Sequence, residues 1–347
     1  MNRPSDPSCM VTFMLIAYNQ ERFIREAIIG AFSQTYSPLE IVLSDDCSTD
    51  RTFDIMQEMA ACYNGPHTVV TRQNERNLGI GGHINAAVQQ SKGELIIAAA
   101  GDDISLPMRV QRIASAYFRS ERRAYSIYSD ETLIDENGNQ RNTSSVRNPK
   151  PNELTLRFFV HHRASVVGSS HAWQKRVFDF FGPLDSGLVN EDCVIPFRSV
   201  LLGEIVFINE PLVLRRVHTG NISLGRTRLH RTRSAEDSRR ALIEMEFNHY
   251  KVLLNKLRDI DTYIESGINV TTATMQHRIH IDYLLRQQSA RIDHFTRLGQ
   301  YTSPQIQKNI TKMLGPLQSL SCNFIWYYPR QTILARRIRS FLRRMIA

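Results

Sequence analysis

The first 130 residues alternate short, unbroken apolar runs with helix-period stretches, and few folds accommodate that order. Val11 to Ala17 (VTFMLIA) and Glu94 to Ala100 (ELIIAAA) are apolar almost throughout, as strands buried on both faces are. Glu40 to Leu43, Thr68 to Thr71 and Tyr125 to Ser129 read as three further strands. Between them, Glu21 to Phe32 puts Ile24, Ala27, Ile28 and Ala31 on one helical face. Ser48 or Thr49 is placed to cap a helix through about Ala61. A loop at Asn77 to Gly82 carries Gly79, Gly81 and Gly82, which would let its backbone approach a ligand, and leads into a helix through Gln90. Pro107 opens another helix, and Asp135-Glu-Asn-Gly-Asn reads as a turn. Repeated β-α-β order predicts an α/β fold with a mostly parallel sheet flanked by helices. Ligands of such sheets bind beyond the carboxyl ends of the strands.

After Ser223 the pattern changes. Gly and Pro thin out, and Ala235 to Leu257 and Thr272 to Arg297 read as long helices. This divides the chain into an α/β domain, 1–225, and a basic helical region, 226–347. The net charge of +9 divides with it: residues 226–347 hold 21 Lys/Arg and 9 Asp/Glu, a balance of +12, against −3 for residues 1–225. The basic region contains no nucleic-acid-binding motif, and its aromatics are not interleaved with its cations as a base-stacking platform requires, so no nucleic acid is expected as a partner. Its last segment, 331–347, places Leu334, Ile338, Phe341, Leu342 and Met345 on one side of a helical wheel. Arg336, Arg337, Arg339, Arg343 and Arg344 fall on the other. Such a helix can lie on an anionic membrane surface or dock on the protein with its arginines in water. Five cysteines without a Cys-x-x-Cys pair indicate reduced thiols and a reducing compartment. No apolar run approaches the ~20 residues of a membrane span, and Met1-Asn-Arg-Pro-Ser-Asp-Pro has no signal-peptide core. A cytoplasmic location is expected, with peripheral attachment to the inner face of the membrane through 331–347.

The acidic residues fall where a sheet of this kind binds ligands. Asp45 and Asp46 end the second strand, Asp102 and Asp103 follow the fourth, and Tyr18 and Asn19 end the first. Adjacent carboxylates repel, and a divalent cation relieves the repulsion. Their oxygens suit Mg2+ or Mn2+, which bind phosphate in turn. The plainer reading of Asp102-Asp103 is a pair of acids ahead of the helix at Pro107, where negative charge is favoured anyway.

Taken together, the blocks are more specific. Ala17-Tyr-Asn, Ser33-Gln-Thr-Tyr, Ile41-Val-Leu-Ser-Asp-Asp-Cys-Ser-Thr-Asp, Asn77-x-Gly with Asn85-Ala-Ala, and Gly101-Asp-Asp-Ile-x-x-Pro resemble a family 2 glycosyltransferase of GT-A fold. The resemblance runs on through Asn190-Glu-Asp and Arg216-Val-His-Thr-Gly-Asn-Ile-Ser and covers roughly residues 10–223. It implies a Rossmann-like GT-A sheet with an α-helical C-terminal extension that matches no motif of its own. It implies that Tyr18, Asn19 and Asp46 bind the base and ribose of a nucleotide sugar, with Asp45 supporting that loop. Asp102 and Asp103 match the family's metal and ribose site. The commoner pattern has an Asp two places before Asp102, where this chain has Ala100. Asp103 is then the first choice as metal ligand, with Asp102 on the ribose or sharing the ion. Glu191 is assigned to the donor, Asp192 matches the catalytic base, and His218 matches a histidine near the diphosphate or metal, its plainer reading being a structural loop histidine.

The implied reaction is inverting, metal-dependent transfer of a sugar from a UDP-, GDP- or dTDP-activated donor to a hydroxyl of a glycan or lipid-linked acceptor, in cell-envelope polysaccharide synthesis. Such a single displacement requires no Ser or Cys nucleophile, so Cys193 is expected to be dispensable. Two other functions compete. A sugar nucleotidyltransferase requires a Gly-rich triphosphate loop, which the Leu15-Ile-Ala-Tyr-Asn-Gln segment does not offer. A non-catalytic sugar- or nucleotide-binding module would be marked by missing acids, whereas Asp46, Asp102, Asp103 and Asp192 are all present.

Overall fold

A computed structural model of the 347-residue chain describes residues 9–141, 149, 153–161, 166–218 and 235–297. The elements in chain order are β1 (Val11–Ala17), α1 (Ile24–Phe32), β2 (Leu39–Asp45), α2 (Thr52–Ala61), β3 (Thr68–Gln73), α3 (Gly79–Gln90), β4 (Leu95–Ala100), β5 (Ile104–Ser105), α4 (Arg109–Arg119), β6 (Ala124–Ile134), α5 (Leu156–His161), β7 (His171–Gln174), α6 (Arg176–Phe181), α7 (Glu191–Leu202), β8 (Glu204–Arg216), α8 (Ala235–Glu265) and α9 (Thr272–Arg297). A 3-10 turn at Gly168–Ser170 precedes β7.

The described strands form one eight-stranded sheet in the order β3-β2-β1-β4-β7-β6-β8-β5. Its first half is parallel throughout, with β1 between β2 and β4 and Ala17 opposite Asp45. Its second half is mixed: β7 runs antiparallel to both β4 and β6, β6 and β8 are parallel, and β5 is antiparallel to β8. The sheet is therefore parallel at four of its seven pairings. The parallel half matches the sequence expectation, and each of its strands lies within a few residues of the expected place. The antiparallel insertions carry short or polar-interrupted sequences, such as the two residues of β5 and the Asn-Glu-Pro interruption inside β8, and show no strand period.

The period of two within each buried strand builds two cores. Phe13 and Leu15 of β1, with Leu95 and Ile97 of β4, face a layer made by Ile24, Ile28, Val110, Ile113 and Tyr117. Met14 and Ile96 point the other way, into a layer with Ile84, Val88, Trp173, Val194 and Ile195. Val252 of α8 belongs to this second layer. Lys251 Nζ also donates to the Gly187 carbonyl at 2.7 Å, and Arg198 of α7 is bound by Asp259 of α8 at 2.8 and 3.0 Å. The chain forms one compact unit through Gln288 and a second from Ser289 to Ala347. The change from mixed α/β to all-helical sequence falls between the end of β8 at Arg216 and the start of α8 at Ala235. The amphipathic helix expected over 331–347 lies outside the described residues.

Two local expectations are corrected. Ser48 and Thr49 do not cap α2, which starts at Thr52: Arg51 stands at the N-cap without a side-chain cap bond, and Asp50 Oδ1, one residue earlier, accepts from the Thr52 N–H at 3.0 Å. The Asn77–Gly82 glycines are not an open ligand loop, because Gly79 to Gly82 form the first turn of α3. Gly81 lies so close to the segment before α7 that a Cβ there would meet the Asp185 carbonyl at 2.6 Å. Its N–H donates to the Leu188 carbonyl at 3.1 Å. That glycine serves helix packing.

Candidate active site

The carboxyl ends of β2, β1 and β4 lie side by side, so residues far apart in sequence share one edge. At the β2 end Asp45 is fully buried. It accepts from the Ser48 N–H at 2.8 Å and from Gln73 Nε2 at 2.9 Å, which fixes the 46–50 loop. Asp46 is also buried. Its Oδ1 accepts from Asn74 Nδ2 at 2.6 Å and the Leu78 N–H at 2.9 Å, and its Oδ2 from the Gly79 N–H at 3.0 Å. The N-terminus of α3 thus supplies donors and its dipole to the Asp46 side chain. At the β1 end Tyr18 is exposed. Asn19 adopts a left-handed backbone (φ 53), its N–H donates to Ser48 Oγ at 2.8 Å, and its Oδ1 accepts from the Thr49 N–H at 2.8 Å. Asn19 therefore ties the first two strand ends together.

Asp102 and Asp103 follow β4, and both are buried. The Asp103 Oδ1 accepts from the Arg216 N–H at 2.8 Å, and His218 Nε2 stands 3.0 Å from Asp102 Oδ2. Burial, followed by the neighbouring Asp102 charge, raises Asp103 well above the ordinary carboxylate range; the Arg216 amide, Ser169 and Arg215 oppose the shift. Arg216 carried no role in the sequence reading beyond its place in a motif, yet it organises this corner. Its Nε donates to the Asp102 carbonyl at 3.1 Å, Nη1 to the Glu136 carbonyl at 2.9 Å and Nη2 to Glu26 Oε2 at 2.8 Å. Its guanidinium lies 4.9 Å from the Phe23 ring centroid, and Phe23 packs on the His218 ring at 4.7 Å. The signal available in sequence was its position at a strand end, two residues before His218.

Glu191 and Asp192 occupy the first turn of α7. They are joined to the acidic corner through the 3-10 turn. Ser169 of that turn lies beside Asp103, while Gly168 is so close to Glu191 Oε1 that a Cβ would meet it at 2.9 Å. The Asp192 carbonyl accepts from the Val166 N–H at 3.1 Å. The structure thus brings Asp102, Asp103 and His218 to one corner, sets Glu191 beside the adjoining 3-10 turn, and places Tyr18, Asn19 and Asp46 along the neighbouring strand ends. Cys193 is buried and its thiol is pushed up by that burial, so it is an unreactive neighbour.

The carboxylate oxygens of Asp102 and Asp103 are of the type that takes Mg2+ or Mn2+, and the raised Asp103 marks a pair of carboxylates that a cation would relieve. Among the described residues no group of three or more His, Cys, Asp or Glu forms a complete metal cage. Asp103 Oδ1 is turned to the Arg216 amide, and Asp102 Oδ2 to His218.

Residues 12–180 match the model of glycosyl transferase family 2. That segment, just under half of the chain, belongs to this family. An uncharacterized glycosyltransferase of Nostoc sp. is 26% identical over 217 residues, covering 61% of this chain and 66% of that protein. A chondroitin synthase of Escherichia coli is 26% identical over 243 residues, covering 70% of this chain and 34% of that protein. The chain thus spans between one third and two thirds of these relatives' lengths. Among solved structures, the mannosyltransferase PcManGT of Pyrobaculum calidifontis, in complex with GDP-Man and Mn2+, superposes with a TM-score of 0.50 at 11% identity, covering 94% of this chain and 92% of that one. The α/β sheet with its flanking helices is the GT-A glycosyltransferase fold.

Proposed function

We propose that this glycosyltransferase works by inversion, moving a sugar from a nucleotide-diphosphate donor to a hydroxyl of a glycan or lipid-linked acceptor in cell-envelope polysaccharide synthesis. The observation that carries the reading is the junction of the Asp102–Asp103–His218 corner with Glu191–Asp192 through the Gly168–Ser170 turn, next to the strand ends that hold Asp46 and Asn19. Strands in a sheet are about 4.8 Å apart, so the ends of β2, β1 and β4 span roughly 10 Å, the length of a nucleoside with its first phosphate. The base and ribose lie over Tyr18, Asn19 and Asp46. The diphosphate reaches Asp102 and His218, and Glu191 contacts the donor sugar. The mannosyltransferase neighbour's GDP-Man supports a nucleotide-sugar donor, and the chondroitin synthase relative supports a polysaccharide product.

The acceptor hydroxyl gives its proton to the Asp192 carboxylate as its oxygen forms the new bond to the anomeric carbon. The bond from that carbon to the diphosphate oxygen breaks on the opposite face, and the nucleoside diphosphate leaves with the electron pair. General-base catalysis of this kind is worth about 10²–10⁴ in rate. Asp102 and His218 would hold a divalent cation, with Asp103 buttressing them through Arg216; when bound, it supplies Lewis-acid neutralisation of diphosphate charge. The manganese of the mannosyltransferase neighbour supports this assignment.

The test is nucleotide release from a panel of UDP-, GDP- and dTDP-sugars, with acceptor and with Mn2+ or a chelator. Asp192→Asn is expected to abolish turnover and leave donor binding nearly intact, and normal transfer by it would remove Asp192 from its role. Alanine at both Asp102 and Asp103 should abolish activity and metal dependence together. An active double variant indifferent to chelator would refute the metal assignment.

A further inference from the structure

Arg72 stands in β3, at one end of the sheet order, and no motif assigns it a task. It lies opposite Ser44 of β2, the residue before Asp45, and its Nη1 donates to the buried Ser44 Oγ at 2.6 Å. That hydroxyl also stands 2.7 Å from His83 Nε2, so the arginine is tied to the buried side of β2. Its Nη2 donates to Asn74 Oδ1. Asn74 is buried just beyond β3, and its backbone N–H donates to the Asp45 carbonyl at 2.9 Å. A guanidinium has donors only, so it selects the oxygen end of the Asn74 amide. Turned the other way, the amide would set N–H against N–H at Arg72 and oxygen against carboxylate at Asp46. In the observed orientation Nδ2 faces Asp46 and donates to Oδ1 at 2.6 Å. The Leu78 N–H adds a second bond to Oδ1 at 2.9 Å, and the Gly79 N–H one to Oδ2 at 3.0 Å. A carboxylate has about four acceptor positions. Among the described residues three are occupied, and the fourth, on Oδ2, is left for a ligand. An unbroken series of hydrogen bonds thus runs from Ser44 through Arg72 and Asn74 to the acid assigned to the donor.

We propose that Arg72 is a positioning residue for donor binding: acting through Asn74, it holds the Asp46 carboxylate so that the open position on Oδ2 meets a single N–H or O–H of the nucleoside. The inference rests on Asp46 binding the donor. It extends the donor site by one strand, from the ends of β2, β1 and β4 to β3. Without the arginine the Asn74 amide is free to turn, and a carboxylate faced by an amide oxygen swings away from the nucleoside. The loss falls on donor affinity and not on the transfer step, because the network ends at the nucleoside while the bonds made and broken lie at the other end of the donor.

The experiment is a double-mutant cycle read as donor KM and kcat, using the UDP-, GDP- or dTDP-sugar that wild type turns over with Mn2+, and as nucleoside diphosphate Kd by calorimetry. Arg72→Met and Asn74→Ala are each expected to raise KM and Kd about tenfold, the effect of losing one hydrogen bond to a charged group, with kcat at saturating donor within about twofold of wild type. The double variant should be no worse than Asn74→Ala, because the arginine acts through that residue. Effects on KM that multiply in the double variant would overturn the proposal, since they make Arg72 an independent contact. An unchanged KM in either single variant overturns it too. A merely structural arginine would lower the melting temperature and the active fraction, hence the apparent kcat, and leave KM alone. Asp46→Asn is run alongside. If wild type binds no nucleoside diphosphate, or Asp46→Asn leaves KM unchanged, the assignment of Asp46 to the donor fails and the proposal with it. A raised KM in Asp46→Asn with unchanged Arg72→Met and Asn74→Ala removes only the positioning role. Should Arg72→Met fail to fold, Arg72→Gln, too short to bridge Ser44 and Asn74 together, takes its place in the cycle with the same outcomes.

Discussion

Two histidines show how burial at single residues makes the stability of this fold depend on pH. His83 of α3 is buried, and its Nε2 stands 2.7 Å from Ser44 Oγ, which also accepts from Arg72 Nη1 at 2.6 Å. Desolvation is the main cause that lowers His83 from 6.5 to about 4; Asp46 and Asp45 oppose it and Arg72 adds to it. Burial likewise lowers His171 to about 3. In the unfolded chain both rings titrate near 6.5, so between that pH and their folded values the unfolded state binds more protons. Their contribution to stability is full above pH 6.5 and is lost as pH falls through about 4. For His83 the shift corresponds to roughly 3 kcal/mol. Thermal melts between pH 7.5 and 4.5 should therefore show a steep fall for wild type and a shallower one for His83→Gln, with the His171 part of the slope remaining. Equal slopes would mean that His83 is not neutral in the fold.

At the scale of elements, the fit between α3 and the segment before α7 decides how the two halves of the site are held. A methyl at Gly81 would press on the Asp185 and Leu188 carbonyls, at 2.6 and 3.0 Å, and backbone on both sides cannot yield cheaply. Overpacking of this kind costs about 1–3 kcal/mol. Gly81→Ala is expected to lower the melting temperature while its folded fraction retains donor affinity. Loss of affinity without loss of stability would instead make this turn a ligand contact. Sequence reading recovered the elements of the parallel half because continuous apolar strands and 3.6-period helices advertise themselves. It took the α3 glycines for a loop because glycine composition alone does not separate an open turn from a close helix contact. Ser48 was misread as a helix cap for a related reason: a short polar side chain signals that backbone N–H groups will be satisfied, but not which ones.

The whole molecule divides its charge unevenly, with −3 on residues 1–225 and +12 on 226–347. Among the described residues no helix is long and apolar enough to cross a membrane. The Arg-rich face expected over 331–347 makes binding to an anionic bilayer a separate, testable property of the tail. Deleting 331–347 should abolish sedimentation with phosphatidylglycerol vesicles and leave nucleotide release intact; unchanged partitioning would discard the idea. The deletion stops well short of α8, whose Val252 enters the core and whose Asp259 neutralises the buried Arg198. A cut at 225 would leave that arginine uncompensated.

The amino-acid sequence by itself determined the class of the fold, the parallel strands and the candidate acids, because alternation of apolar runs and the order of short acidic blocks are local properties of the chain. Only the tertiary structure decided that Asp103 turns to the Arg216 amide while Asp102 faces His218. It alone decided that the Gly168–Ser170 turn connects them to Glu191, and that Arg72 reaches Asp46 through Asn74. Those relations depend on which elements pack against which, and on buried charges finding partners across long stretches of chain. No spacing along the polymer encodes such a partner, since the energy that selects it exists only once water has been excluded between the packed helices.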